Sequence, residues 1–545
     1  MVICGTAIII RLPLFMFPFI NIDENEYRLA AQIILNGGLP YRDFLIYQPP
    51  VIYYFFAGIA WLFGTNALWP VHLVMLFVMV MSSLLLCSIG RLLWSEQAGL
   101  WAAAGYGVCA VVPLPSDMLG ANMEVLLTIP VLMAVRLVLS PSAMQSAWYA
   151  VGGGVLLGLA ICTKYPAGLL LIPVGWSLWL NRSPAQRWHH LLGLVAGCGT
   201  LIGGVLLALQ IAGVWPEAFA TFRYILQYAK GPVQSDPLYV GLKFVVRTLL
   251  VACGGALFWW SAARGSWALL CGEREARTMR RPSQQAHGFL LLWAAVGAVL
   301  VVLGGRIYFH YYFFLFPPVV LLGGLWLAGR WGTGWAAWSA RIRWSAGCWS
   351  IACVLGILGH CLFRIDEGSL TATEWRPVAQ RLAAMTQPGE TLFVWGYCPQ
   401  LYTISALLPA TRFTTADYLT GRTPKTAGLE YDPTIPSPPS SLEKVLNDFR
   451  TPTFVTSEKT DHNIFPGAWV LLEKDFARRL PDYIVDTAPA DYRRYGRYPI
   501  EAYPFLAGEL AAHYRAIEQI NGFIIYRRTK ATETAVSRTR HSPDL

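Results

Sequence analysis

The chain is poor in charge: Asp, Glu, Lys and Arg make up 14% of its 545 residues, where a soluble domain carries roughly 25%. Apolar residues make up 55%, so a string of ordinary soluble domains is excluded and most of the chain reads as membrane-embedded. The scarcity is uneven. Residues 1–364 hold 22 basic and 11 acidic side chains (+11), and residues 365–545 hold 20 and 21 (−1). The positive excess lies between apolar runs, where loops on the inner side of a membrane collect it, so no nucleic-acid partner is expected.

Other absences narrow the field further. Ten of the eleven cysteines lie between Cys4 and Cys361, and Cys398 alone falls in the polar part, which leaves no disulfide framework. His189 and His190 are adjacent and no HExxH pair occurs, so a protein-built zinc site has no support and no resident cofactor is expected. Residues 1–10 lack a basic leader and a cleavage site, and are read as the start of a first spanning helix. No internal repeat is evident.

What remains is a succession of long apolar runs. Helices are expected near 2–20, 66–90, 98–115, 118–139, 147–162, 166–181, 190–212, 239–263, 287–304, 311–329 and 345–363, about eleven spans. Arg91, Arg136, Arg182, Arg187, Arg264, Arg274, Arg277, Arg280, Arg281, Arg330, Arg341 and Arg343 then fall on one side, read as cytoplasmic. Loop 21–65, segment 213–238, the turns at 116–117, 163–165 and 305–310, and everything after 364 fall on the other. The fold class is therefore mainly α and polytopic. It comprises a transmembrane domain over 1–364, an extracytoplasmic α/β domain over 365–530 and a disordered polar tail over 531–545.

Val51–Phe63 is wholly apolar but too short to cross, and follows Pro49-Pro50, so it is expected as an interfacial or re-entrant helix. In the polar part, helices are expected at Glu374–Met385, Leu442–Phe449, Trp469–Arg479 and Leu506–Tyr514. Strands are expected at Thr391–Trp395, Thr453–Thr456, Tyr483–Val485 and Gly522–Arg527, and a loop at Tyr431–Ser441.

Chemistry concentrates in the first external loop, NIDENEYRLAAQIILNGGLPYRDFLIYQPP. Polar residues at 25, 28, 32 and 36 and apolar ones at 27, 30, 31 and 34 give a helical two-face pattern, expected to lie flat at the membrane surface. Asp23 extends the face of Tyr27, Ala30 and Ile34, an expensive place for an ionisable group. The same residues fit a helix start, Asn21 with Glu24 or Asp23 with Glu26, so spacing leaves a cap and a catalytic acid both open.

The order Asp23-Glu24, Glu26-Tyr27, Gly37-x-x-Pro40-Tyr41-Arg42-Asp43, Gln48-Pro49-Pro50 and Leu62-Phe63-Gly64 resembles the first external loop of the GT-C membrane glycosyltransferases. The likeness is to the branch of protein O-mannosyltransferases, the aminoarabinose transferase of lipid A and Rgt-type lipopolysaccharide-core transferases. Phe393-Val394-Trp395-Gly396 followed by Leu401-Tyr402 resembles the outer domain of some Rgt-like members. Many relatives carry Lys-Pro-Pro where this chain has Gln48-Pro49-Pro50, so no phosphate contact is assigned to Gln48.

The resemblance implies transfer of a sugar from a polyprenyl-phosphate donor to a hydroxyl of a lipid, glycan or protein acceptor, with inversion, at the outer face of a bacterial inner membrane. It places Asp23 at the catalytic base, with Glu24 as its partner. A base and a cationic phosphate site are what such a displacement needs. Lys164 and Arg306 are the candidate donor-phosphate cations, with membrane anchoring as the competing reading. Glu124, Tyr27 and Tyr311 are candidates for positioning substrate. Glu124 could instead pair only with Arg136, His310, Tyr311 and Tyr312 could form an aromatic belt, and Arg11 and Arg247 could pair with acids. No metal is required, although Asp23, Glu24 and a donor phosphate could share a divalent ion. A transporter or flippase of lipid-linked or polar solutes is the alternative, disfavoured by the missing repeat.

Overall fold

A computed structural model describes residues 22–65, 67, 69–110, 115–144, 146–270, 281–331, 372–421, 430–431, 440–441, 445, 455–456 and 463–529, with Phe15. Apart from Phe15 and Val445, the expected span 2–20 and helix Leu442–Phe449 lie outside these residues, as do the span 345–363, the tail 531–545 and Arg11.

Among the described residues, four helices are long and apolar enough to cross a membrane: Trp69–Leu93, Pro184–Ile211, Pro237–Gly254 and Gln285–Val302. Val51–Phe63, Trp148–Thr163 and Phe316–Gly329 are shorter apolar helices. Trp188, Leu192, Val195, Ile211, Leu238 and Leu249 are each more than 60% exposed on these elements, a belt that only a lipid surroundings would cover. The chain is a multi-pass membrane protein.

The expected runs are subdivided more finely than hydropathy suggests. The span near 118–139 is a helical turn Pro115–Leu119, a break, and a helix Met123–Val138. The span near 239–263 is two helices, Pro237–Gly254 and Ala256–Leu270, interrupted at Gly255, where a β-carbon would run into Cys109. The span near 166–181 begins as a 3-10 turn, Tyr165–Leu170, before the helix Leu171–Asn181.

The first loop folds into two packed helices, α1 (Ile22–Leu35) and α2 (Val51–Phe63). Asp23 and Glu24 stand in the first turn of α1, where the helix dipole favours acids. Its end is fixed by Gly37 at φ +87°, with the Gly38 N–H donating to Ile33 O and the Gly37 N–H to Ile34 O, a Schellman closure. The expectation of a surface helix with a solvated polar face is corrected: Asn25, Arg28 and Gln32 are buried along with Tyr27, Ala30 and Ala31. Neighbouring protein covers the polar face as well as the apolar one. In α2, Ile52, Tyr53, Phe56 and Ala57 are buried while Trp61 and Leu62 are exposed, as an interfacial helix requires.

Residues from 372 onward form an α/β unit with a five-stranded sheet in the spatial order β2 (Leu408–Pro409), β1 (Thr391–Trp395), β5 (Tyr483–Asp486), β7 (Phe523–Arg528) and β6 (Tyr514–Ile520), while β3 (Glu430–Tyr431) and β4 (Val455–Thr456) pair separately. β1 (Thr391–Trp395) runs parallel to β2 (Leu408–Pro409) and to β5 (Tyr483–Asp486). β5 pairs antiparallel with β7 (Phe523–Arg528), which forms a hairpin with β6 (Tyr514–Ile520) through Asn521-Gly522, both at positive φ. Alternation along β1 sends Leu392 and Val394 into one apolar cluster with Trp375, and Phe393 and Trp395 into another with Phe476 and Leu506. Helices therefore cover both faces, Ala372–Met385 on one and Ala468–Arg478 with Pro504–His513 on the other. Only Val455–Thr456 of the expected strand Thr453–Thr456 is described, parallel to Glu430–Tyr431. The expected loop Tyr431–Ser441 begins in that second strand, and most of it lies outside the described residues.

Candidate active site

The unit meets the first loop through its backbone. The Leu45 N–H donates to Arg412 O at 2.7 Å, and Tyr47 packs edge-on against Tyr418 at 6.3 Å between centroids. Tyr224 OH donates to Asn463 O at 2.8 Å nearby. α1 and this unit are nearly closed against each other, leaving a gap of about 10 Å³ with Glu26, Thr414 and Tyr418 on its wall.

On α1, positions one apart point about 100° apart, whereas positions three and four apart share a face. Glu24 accordingly faces Arg28, whose Nη2 lies 2.9 Å from Glu24 Oε1, with His72 Nε2 at 3.6 Å and the Ala121 N–H donating to the other oxygen at 3.4 Å. Glu24 is thus held by Arg28 and ties α1 to the loop before Met123. The acid that Asp23 acts on is Glu26. Burial among protein groups pushes the Glu26 carboxyl up to about 8; Asp23 and Asp417 add to the rise, while a hydrogen bond donated by Tyr397 and the charge of Arg493 oppose it. Its carboxylate still touches the space between the two parts. Asp23 is half-buried on the same side.

Tyr27 stands between two clusters. It packs against Tyr53 and Phe56 with centroids 5.8 and 5.3 Å away, and its hydroxyl is held well above its usual range by burial and by the charges of Asp23, Glu124 and Glu26. Beyond it lies the second cluster. Lys164, at the end of the helix Trp148–Thr163, makes an ion pair with Glu124 and sits 4.1 Å above the Tyr311 ring. His310 Nδ1 donates to Asp117 Oδ1 at 2.6 Å, its Nε2 is 3.7 Å from Glu124 Oε1, and the Phe309 N–H donates to Asp117 Oδ2 at 2.9 Å. The structure thus brings together Lys164, Glu124 and Tyr311, with Tyr27 within reach of the charges of both Asp23 and Glu124.

Arg306 is buried in the loop that leads into Phe309. That loop passes through Gly304, Gly305 and Ile307, all at positive φ, a strained course for a β-branched residue. Arg247 donates to Ile307 O at 2.6 Å, and Arg136 donates to Ser88 Oγ at 2.7 Å, not to Glu124. The aromatic-belt reading is corrected for His310 and Tyr312, both buried, the latter sharing a hydrogen bond with Thr248 at 2.8 Å. Gln48 serves inside the loop: its side chain accepts from Tyr53 OH and its carbonyl from Tyr41 OH at 2.9 Å.

Sequence reasoning missed the groups supplied by the α/β unit: Tyr397 after β1, Asp417 after β2, and Arg493 after β5. Asp417 accepts a hydrogen bond from Tyr495. Arginine and tyrosine alternate densely over 492–498 (YRRYGRY), which is the signal that was available. Among the described residues no group of three or more His, Cys, Asp or Glu is arranged to hold a metal ion.

A family model of dolichyl-phosphate-mannose-protein mannosyltransferases matches residues 47–202. No curated protein sequence matches the chain. The crystal structure of ArnT from Cupriavidus metallidurans bound to undecaprenyl phosphate superposes with a TM-score of 0.55 at 13% identity, covering 97% of this chain and 98% of that one. The Archaeoglobus fulgidus oligosaccharyltransferase complex with zinc and sulfate gives 0.49 at 13% identity, covering 96% and 73%. The likeness to ArnT over both full lengths shows the fold, and the chain resembles the GT-C glycosyltransferases.

Proposed function

We propose that the protein is a membrane glycosyltransferase that moves a sugar from a polyprenyl-phosphate carrier to a hydroxyl of a lipid, glycan or protein at the outer face of a cell membrane. The observation that carries this reading is the pair of charged clusters that both reach Tyr27, Asp23 with Glu26 and Lys164 with Glu124, His310 and Asp117, beneath an α/β cover. Asp23 takes the acceptor's hydroxyl proton, the acceptor oxygen bonds to the anomeric carbon with inversion, and the bond to the carrier phosphate breaks. Glu26, which keeps its proton below about pH 8, hydrogen-bonds without adding a second negative charge beside Asp23.

Lys164 meets the charge that develops on the leaving phosphate, with Arg306 as the second cation. Glu124, with His310 beside it, holds Lys164 in place, so its cation is positioned before substrate arrives. An apolar cavity of about 390 Å³ between α2 and the helix Pro184–Ile211, lined by Pro50, Val51, Phe55 and Leu209, opens beside the same loop and suits a prenyl chain. The resemblance to GT-C transferases and the family match over 47–202 support the sugar chemistry.

The experiment is sugar release by the purified protein in proteoliposomes containing a membrane-lipid extract, offered a panel of radiolabelled polyprenyl-phosphate sugars. Turnover of one donor supports the reading and identifies the sugar. Absence of turnover across the panel, together with flux of a lipid-linked solute through the same liposomes, would replace it with the transporter reading.

A further inference from the structure

Two carboxylates meet at the His310 ring. Asp117, in the turn Pro115–Leu119, lies against Nδ1, and Glu124, in the first turn of the helix Met123–Val138, lies beside Nε2 and also pairs with Lys164. Two carboxylates against one ammonium leave these four groups net negative while the imidazole is neutral, and balanced once it is protonated. A phosphate arriving at Lys164 is repelled in the first state and not in the second.

The ring is held in the orientation that the second proton requires. A carboxylate can only accept, so the contact of 2.6 Å to Asp117 Oδ1 commits Nδ1 as a donor, and the Phe309 N–H fixes the other Asp117 oxygen at 2.9 Å. Nε2 is then left 3.7 Å from Glu124 Oε1, the same oxygen that Lys164 pairs with. In a neutral ring Nε2 turns a lone pair toward that carboxylate; in an imidazolium it turns an N–H. Tyr308 stacks on the ring at 5.3 Å between centroids and Tyr311 meets it edge-on at 4.9 Å. The ring is therefore faced by Asp117, Glu124, Lys164 and these two tyrosines.

Lys164 is the outermost of the charged groups on Glu124. Its side chain is 14% exposed, against 8% for His310 and 1% for Glu124. The next residue, Tyr165, shares a hydrogen bond with Tyr41, which follows Pro40 on the wall of the apolar cavity described above. A lysine that turns from Glu124 toward a phosphate strands a buried carboxylate, which is costly unless another cation takes over. His310 already stands at the oxygen that Lys164 would leave.

On the basis of the transferase reading above, we propose that His310 is a positioning residue for the donor, taking up one proton from the medium as the carrier's phosphodiester binds Lys164 and returning it on release. The imidazolium holds Glu124 in place of Lys164. Donor affinity therefore falls as pH rises.

The test uses the full chain in phosphatidylcholine nanodiscs, titrated with polyprenyl phosphate methyl ester, a diester whose single charge is constant over the range used. Calorimetry in two buffers of different ionisation enthalpy counts the protons taken up. Wild type is expected to take up a proton on binding, and its dissociation constant to rise about tenfold between about pH 6 and about pH 9. His310→Gln should bind weakly with a flat profile, matching wild type at the high end. Glu124→Gln removes the carboxylate that needs the second cation, so it should bind tightly across the range with a shallower profile.

A flat wild-type profile without proton uptake would overturn the proposal and leave the donor reading standing. The wild-type slope retained in His310→Gln would overturn it as well. If His310→Gln fails to fold, the proton count in wild type and the profile of Glu124→Gln decide the matter. A wild-type protein that binds no diester at any pH would contradict the donor reading and the proposal with it.

Discussion

At the scale of single residues, the site is governed by two carboxyl groups with opposite companions, Glu124 buried and Glu26 half-buried. Glu124 has Lys164 and His310 beside it. Removing Lys164 alone leaves a carboxylate in a dry place, so Lys164→Ala should destabilise the protein by about 3–5 kcal/mol. The double variant Lys164→Met with Glu124→Gln should recover most of that loss but not transfer; unfolding midpoints of the three variants measure it. Glu26 has the reverse problem, a carboxyl that burial and Asp23 push up to about 8 from its ordinary 4.5. The folded state then holds this proton more tightly than the unfolded chain does. The stabilisation is complete below about pH 4.5, declines as pH rises and is lost above about pH 8. Midpoints measured across that window should fall in the wild type, and the fall should be smaller in Glu26→Gln.

At the scale of elements, helix Trp148–Thr163 matters because it ends at Lys164. It packs on Pro184–Ile211 through reciprocal glycines: a β-carbon at Gly154 would strike the Leu194 carbonyl, and one at Gly197 the Val151 carbonyl. Gly197→Leu should therefore force the helices apart, cost about 1–3 kcal/mol and reduce transfer by moving Lys164. Transfer assayed at a temperature where the variant stays folded checks this, and unchanged kinetics would separate the contact from the site. These elements were legible in unequal degree. Val51–Phe63 was readable to the residue, because Pro49-Pro50 and Gly64 bracket an apolar run, and β1 was readable from its run of Leu, Phe, Val and Trp. The break at Gly255 was not, since the close approach of Cys109 that calls for a glycine there comes from another helix. The pairing of Glu24 with Arg28 was hidden because adjacency to Asp23 in sequence is not adjacency on a helix.

At the scale of the whole molecule, the site belongs to neither part alone. α1 supplies Asp23, Glu26 and Tyr27, the bundle supplies Lys164, Glu124 and His310, and the α/β unit closes over them with Tyr397, Asp417 and Arg493. The membrane character and an α/β layer could be read from charge and pattern. The docking could not, because burial of Asn25, Arg28 and Gln32 against a distant segment leaves no periodic trace in either segment. The joint depends on Gly396 at φ +138°, where any β-carbon would collide with Thr487, so Gly396→Ala should displace Tyr397 and loosen the cover. Faster proteolysis of the α/β unit in that variant, with the bundle intact, would report it. The central claim is that Asp23 is the base of a sugar transfer. It is tested most directly by comparing wild type and Asp23→Asn for turnover of a polyprenyl-phosphate sugar in the same proteoliposomes. The account predicts a loss of about 10²–10⁴-fold with folding and carrier binding retained; wild-type turnover in a folded Asp23→Asn protein would contradict it.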